Sequence, residues 1–511
     1  MRSKNFNFWI IIILAVISIT ACKRNEIEFA DGPFEPTWES LKQYETPEWF
    51  KDAKFGIYLH WGPTSVPGVD GWYARNMYVE GHRAYNYHVE NYGHPSEVGY
   101  KDIIPLWKAE KFDPDSLVRL FKKAGARYIT PVAVHHDNFD LWNSRHHKWN
   151  AVNYGPEKDI IGMWMQAVKK NDLHWGVTTH LARAWSWVQT NKGSDSDGQY
   201  AGVPYDGNDP EFESLYLPYD EDNNQQHPLN PPVKWRLEWM RRMVDLIDNY
   251  DIDFLYFDGG APFQGEDEGL SGRKVIAHLY NRSIERHGSL EAVQTLKNIP
   301  NHAFFEEGIC VEDLERGRMD DKKDLYWQTD DSMGTWFSRK KNEYRDVKDI
   351  IHELVDIVSK NGNLLLNVPL YPDGTLDKEG VDFLHTMGEW FDLYGEAIYG
   401  TRTYDIYGEG PTEIAGGHFQ KNNNLVMTSK DVRYTVKGDT TYILLMGWPE
   451  QAVTIKEFKP SEQTVLEVMG TDGEAEWEIT EDSLLVSIPG SDTLNIYSAR
   501  GFTCVLRAYE K

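Results

Sequence analysis

The sequence predicts an α/β protein: a (β/α)8-like barrel followed by an antiparallel β-sandwich. Three observations carry this prediction. From Trp49 onward, short apolar runs alternate with amphipathic runs of helical period, as in a parallel sheet with crossover helices. Polar and aromatic residues collect at the C-terminal ends of successive apolar runs, the end where barrels keep their chemistry. After about Gly400 the amphipathic runs stop, and short β-rich segments separated by turn residues take over.

Taken in order, the chain opens on a targeting segment, residues 1–21. Arg2 and Lys4 precede an apolar core, Trp9 to Ile19, of signal-peptide length and too short for a comfortable membrane span. It ends in Ile19-Thr20-Ala21-Cys22, which resembles a bacterial lipobox and implies lipid attachment at Cys22. Residues 22–45 are polar, carry Pro33 and Pro36, and read as a tether. The barrel is expected over 46–400, with strands at Lys54–His60, Tyr128–Val134, His174–His180, Asp253–Phe257, Ala303–Phe305, Leu325–Trp327 and Asn363–Val368. Helices lie between them. Asp113-Pro114 opens one, Asp as the cap and Pro at the first position, with Leu117, Leu120, Phe121 and Ala124 on one face. Another starts at Lys234 with a stripe of Trp235, Trp239, Met243 and Ile247. A third runs from Asp346, with Ile350, Ile351, Leu354 and Val358 inward, and stops at Asn361-Gly362. Residues 401–511 form the sandwich, with strand segments at Thr440–Met446, Gln451–Phe458, Gln463–Met469, Ser483–Ile488 and Phe502–Arg507.

The 511 residues carry a formal charge of −27. So acidic a chain repels phosphate backbones, and no phosphate-cradling glycine loop is present, so nucleic acid is not an expected partner. Nineteen Trp are many, and their flat apolar faces suit sugar rings as well as cores. Beyond Cys22 only Cys310 and Cys504 remain, too few and too far apart for a disulfide framework or a zinc site. Contact with a membrane is expected only through the N-terminal lipid, which places the protein in a Gram-negative cell envelope, on the outer membrane, facing the periplasm or the surface.

The candidate site gathers at the strand ends. The first strand ends in His60-Trp61-Gly62, the second in His135-His136-Asp137, the third in Thr178-Thr179-His180 and the fourth in Asp258 before Gly259-Gly260. Asp258 reads either as a catalytic carboxylate at the tip of a buried strand or as a cap for the next segment. His135 and His136 point to opposite faces if the strand is still regular there. The histidines lack the helical i, i+4 spacing of a zincin, so no metal and no cofactor is expected. Hydrolysis of a glycosidic bond needs a second carboxyl, and Glu306, Glu307, Glu312, Asp313, Glu315, Asp320 and Asp321 crowd one stretch that reads mostly as solvated loop.

Together these residues resemble glycoside hydrolase family 29, the α-L-fucosidases. The pieces stand in the family's order: Lys54 to Gly62, Trp72-Tyr73 with Arg75-Asn76-Met77-Tyr78, Phe112-Asp113-Pro114, His135-His136-Asp137, Trp149-Asn150-Ala151, Phe257-Asp258-Gly259 and Trp327-Gln328-Thr329. The resemblance implies a retaining exo-glycosidase that releases terminal α-L-fucose from glycans, with Asp258 as nucleophile and Glu315 as acid/base. Gln328 stands where some members carry a rival Glu, and Glu312 and Asp313 are fallbacks. It further implies that His60, Trp61, His135, His136, Tyr256, Trp336, Asp70 and Trp72 bind the sugar. Two positions depart from the pattern. Gly71 stands where a sugar-binding Glu is common, with Asp70 as a substitute, and the third strand ends in His180 where a Tyr is common. The alternatives are an exo-glycosidase for another sugar such as a galactoside, or a non-catalytic sugar-binding lipoprotein. Retention implies carboxyl groups about 5–5.5 Å apart.

Overall fold

The computed structural model describes residues 27–221, 227–299, 303–420, 426–471, 473–488 and 501–511. The signal segment and Cys22 lie outside them. Eight parallel strands close into a barrel in chain order: β1 (Phe55–Leu59), β2 (Tyr128–Val134), β3 (His174–Thr179), β4 (Phe254–Phe257), β5 (Val293–Leu296), β6 (Val311–Asp313), β7 (Trp327–Ser332) and β8 (Gly362–Asn367), with β8 paired to β1. Six long helices fill the crossovers: α1 (Pro114–Lys123), α2 (Ile160–Lys170), α3 (Val233–Tyr250), α4 (Leu270–His287), α5 (Val347–Ser359) and α6 (Lys378–Tyr394). Among the described residues no such helix follows β5 or β6.

Local chemistry explains most boundaries. The Asp113 carboxylate accepts from the Ser116 N–H at the head of α1, with Pro114 in the first turn, as the sequence predicts. Asp346 caps α5 in the same way through Lys348. Asn361, at φ 73°, makes the left-handed turn from α5 into β8. The barrel's lower end is packed by Phe50, Tyr128 and Phe254. Gly56 opposite leaves them room, since a Cβ there would meet the Tyr128 ring at 2.3 Å.

Three expectations are corrected. Ala303–Phe305 is not a strand, and Ala303 makes only an isolated bridge to Ile299. The fifth and sixth strands are Val293–Leu296 and Val311–Asp313 instead, and the strand expected at Leu325–Trp327 begins at Trp327 and runs to Ser332. Residues 27–45 do not hang free as a tether. Phe34, Leu41 and Tyr44 are buried, Tyr44 stacks on Tyr280, and Asn281 accepts from the Phe34 N–H. Their apolar side chains cover α4, which would otherwise face water.

The C-terminal region forms two antiparallel sheets. One has five strands: β9 (Arg402–Glu409), β10 (Val432–Lys437), β11 (Thr440–Leu445), β13 (Thr464–Val468) and β16 (Cys504–Glu510). The other has three: β12 (Val453–Ile455), β14 (Glu476–Ile479) and β15 (Leu484–Ser487). Strand alternation gives the larger sheet two buried faces. Ile443 and Leu445 meet the smaller sheet, while Tyr442 and Leu444 join the barrel's core. A buried ion cluster pins the contact: Asp356 of α5 accepts from Arg433 Nε at 2.7 Å and Lys360 Nζ at 3.0 Å. Cys310 and Cys504 are both buried and unpaired. No helix of the described residues is long and apolar enough to cross a membrane.

Candidate active site

The strand ends surround a cavity of about 440 Å³. Its floor is Asp258, one residue past β4. Gly259 follows at φ 144°, and a Cβ there would meet His227 at 2.7 Å, so the turn that presents the carboxylate needs a glycine. Asp258 does not act as a cap. Its Oδ1 accepts from Lys297 Nζ at 2.7 Å, and its Oδ2 lies 3.5 Å from His136 Nε2 and 3.9 Å from His180 Nδ1.

Lys297 follows β5, is 1% exposed, and donates equally to Glu315 Oε2 at 2.7 Å. Two oxygens that share one nitrogen at this range can be no more than twice 2.7 Å apart. That bound admits the spacing of about 5–5.5 Å of retaining glycosidases and, for these two oxygens, lies below the roughly 6.5–9.5 Å of inverting ones. The fallback acids lie elsewhere. Glu312 pairs with Lys323 at 2.5 Å. Asp313 is buried under the pocket and accepts from Gln328 Nε2 at 2.8 Å and from the Tyr256 hydroxyl at 3.0 Å.

The two carboxyls hold their protons differently. Burial pushes Asp258 up, but Lys297, His180 and His136 outweigh it and bring the group well below the usual carboxylate range. Burial also pushes Glu315 up. Lys297 opposes this, but the nearby Asp330 and Asp258 carboxyls add to it, and the group stays raised. Beneath them Asp330 is held high by burial and by Asp313 beside it, while Asp313 is pushed up to about 6, chiefly by burial. One carboxyl held low facing another held high is the arrangement that splits two carboxyls into nucleophile and acid.

The walls carry the histidines. His60 donates from Nδ1 to Asn367 Oδ1 at 2.9 Å. Asn367 is fixed in that orientation because its amide donates to Ser332 Oγ and the Trp336 carbonyl. His136 donates from Nδ1 to the His180 carbonyl at 3.0 Å. Tyr58 donates to His180 Nε2 at 3.0 Å. Burial lowers all four histidines, His180 to about 4, so each is a neutral imidazole that offers one donor and one acceptor. Both His135 and His136 line the cavity, because β2 has already ended at Val134. Trp336 and Phe337 pack against His60 and form an apolar side. Trp72, 37% exposed, lies under the Arg183 guanidinium at 4.8 Å.

Three expected sugar contacts fall outside the cavity. Trp61 points away from it, packs on Trp107 and Phe112, and donates to the Tyr371 carbonyl. Being adjacent to His60, it takes the opposite face of the chain. Tyr256 lies beneath the carboxyls and donates to Asp313. Asp70 faces a neighbouring cavity and staples its own loop, accepting from the Trp72 N–H at 2.8 Å and pairing with Arg83 at 3.2 Å. The sequence reading placed His180 at a strand end without giving it a role, and missed Tyr58, Arg183, Lys297, Asp330 and Phe419, all on the cavity wall. Extending the strand-end rule to β5 would have found Lys297. His60, His135 and His180, and also His136, His180 and Asp258, bring ligand atoms within 4.8 Å of one another and could hold a cation. The same atoms face the space a sugar would fill.

A family model for α-L-fucosidases matches residues 21–396. The chain belongs to the α-L-fucosidase family. It is a glycoside hydrolase, in keeping with its carboxyl pair. The tissue α-L-fucosidase of Mus musculus is 28% identical over 479 residues, 91% of this chain and 92% of that protein. The plasma α-L-fucosidase of Homo sapiens is 29% identical over 434 residues, covering 81% and 79%. The structure of Thermotoga maritima α-fucosidase in complex with fucose superposes with a TM-score of 0.71 at 26% identity, covering 93% of this chain and all of that one.

Proposed function

We propose that the enzyme releases terminal α-L-fucose with retention of configuration, with Asp258 as nucleophile and Glu315 as acid/base. The observation that carries this is Lys297, which brings Asp258 and Glu315 within one ammonium's reach. Asp258 Oδ attacks the anomeric carbon while Glu315 gives its proton to the departing glycosidic oxygen. A covalent fucosyl ester forms and the aglycone leaves as an alcohol. Glu315, now ionised, takes a proton from water, and that water displaces Asp258 from the anomeric carbon. Two inversions give net retention, and both carboxyls return to their starting states. The neutral histidines exchange hydrogen bonds with ring hydroxyls. Trp336 and Phe337 offer an apolar surface to the C5 methyl that distinguishes fucose from hexoses bearing a hydroxymethyl.

An aryl glycoside panel tests the sugar. Fucoside is expected to exceed galactoside by about tenfold or more in kcat/KM, the scale at which an apolar pocket discriminates one polar group. Activity on galactosides with none on fucosides would contradict the assignment.

We further propose lipid attachment at Cys22 and residence in the envelope of a Gram-negative bacterium, on the strength of the apolar run ending in Ile19-Thr20-Ala21-Cys22. Cys22→Ser, expressed in such a host, is expected to move from the membrane pellet to the soluble fraction. A variant still in the pellet would remove Cys22 as the anchor.

A further inference from the structure

The chain between β9 and β10 leaves the sandwich and returns to the barrel's catalytic end. There it grips the segment that carries Glu315. Gly417 and Arg318 exchange backbone bonds of 2.8 and 3.3 Å, and the Phe419 N–H donates to the Glu315 carbonyl at 2.8 Å. His418 Nδ1 accepts from the Glu315 N–H at 3.2 Å, and its Nε2 donates to the Asn298 carbonyl at 3.1 Å. Both sides of the acid's backbone are therefore bonded by two successive residues of the other domain. The close approach is built in, since a Cβ on Gly317 would meet the Gly417 carbonyl at 2.5 Å.

These bonds hold Phe419 at φ 54°, a left-handed conformation that bulky residues rarely adopt. The side chain lines the same cavity as Asp258 and Glu315, yet it is 54% exposed. A ring tied by its backbone but left half in water stands at the pocket's mouth, beside the acid. Glu315 must protonate the oxygen that joins fucose to its neighbour, so a surface on the solvent side of Glu315 meets the departing group. The C–H face of a pyranose is apolar and fits an aromatic ring.

We propose that the sandwich domain completes the site: Phe419 is a platform for the leaving-group sugar and sets preference for a carbohydrate aglycone. This rests on the fucosidase reading above and concerns residues beyond the stretch the family model matches.

The test compares kcat/KM for two substrates that both need the proton of Glu315: methyl α-L-fucoside, whose leaving group is methanol, and a fucosylated disaccharide. Phe419→Ala is expected to lose about tenfold more on the disaccharide than on the methyl fucoside, the scale of one aromatic contact. Phe419→Trp is expected to keep the wild-type ratio. Equal losses on both substrates would mean that Phe419 acts only by supporting Glu315, and would overturn the proposal, as would no loss on either. A wild-type enzyme inert toward both fucosides would instead overturn the fucosidase reading beneath it.

Discussion

A single ammonium 2.7 Å from each of two carboxyls pulls both toward ionisation, yet the two are shifted in opposite directions. The difference lies in what else each one faces. Asp258 has the imidazoles of His136 and His180 beside it, whereas Glu315 has the carboxyls of Asp258 and Asp330. Activity then falls at low pH as Asp258 takes a proton, and at high pH as Glu315 loses one. Lys297 lowers both groups, so Lys297→Met is expected to raise both and move the whole bell of kcat/KM to higher pH, by about one unit or more for a charge this close. A bell that stayed in place or moved down would show that Lys297 only fills space. At this scale the sequence disclosed the carboxyl pair and the histidines, and the errors come from side-chain direction, depth and loop geometry. Side chains alternate along a strand. Trp61 follows His60 and so faces outward into Trp107 and Phe112. Tyr256 shares the inward side with Asp258 but sits one layer deeper, where its hydroxyl bonds Asp313. Asp70 has the spacing of a turn-forming aspartate, and its loop uses it as one.

The elements were legible in proportion to how apolar they are. β1, β2, β3 and β4 are apolar runs between turn residues, and their ends fall within a residue or so of expectation. β6 and β7 read Val-Glu-Asp and Trp-Gln-Thr-Asp-Asp-Ser, and hydrophobic pattern marks neither as a strand through its length. They are polar because they face the interior at the catalytic end, where Asp313, Gln328 and Asp330 satisfy one another and Lys297 instead of meeting water. An acidic run that resembles a solvated loop is in fact half buried, and only the closure of the barrel shows which of its members turn inward. The N-terminal stretch hid itself for the opposite reason. Its apolar residues follow no strand or helix period, yet Phe34, Leu41 and Tyr44 are buried on the barrel and Ile27, Phe29 and Trp38 pack against it.

Across the whole molecule, two domains that the sequence separates by composition are joined by one sheet with two buried faces, by the Asp356–Arg433–Lys360 cluster, and by the β9–β10 connection that reaches Glu315. The cavity thus draws on both, with Asp258, Glu315 and Lys297 from the barrel and Phe419 from the sandwich region. The central claim of the proposed mechanism is that Asp258 forms the bond to the sugar. Incubation with 2-deoxy-2-fluoro-fucosyl fluoride, which forms the ester readily and loses it slowly, followed by peptide mass mapping, tests that claim most directly. One fluorofucosyl group on the peptide that contains Asp258 is the predicted result; a label on another carboxylate, or hydrolysis with inversion and no label at all, would contradict it.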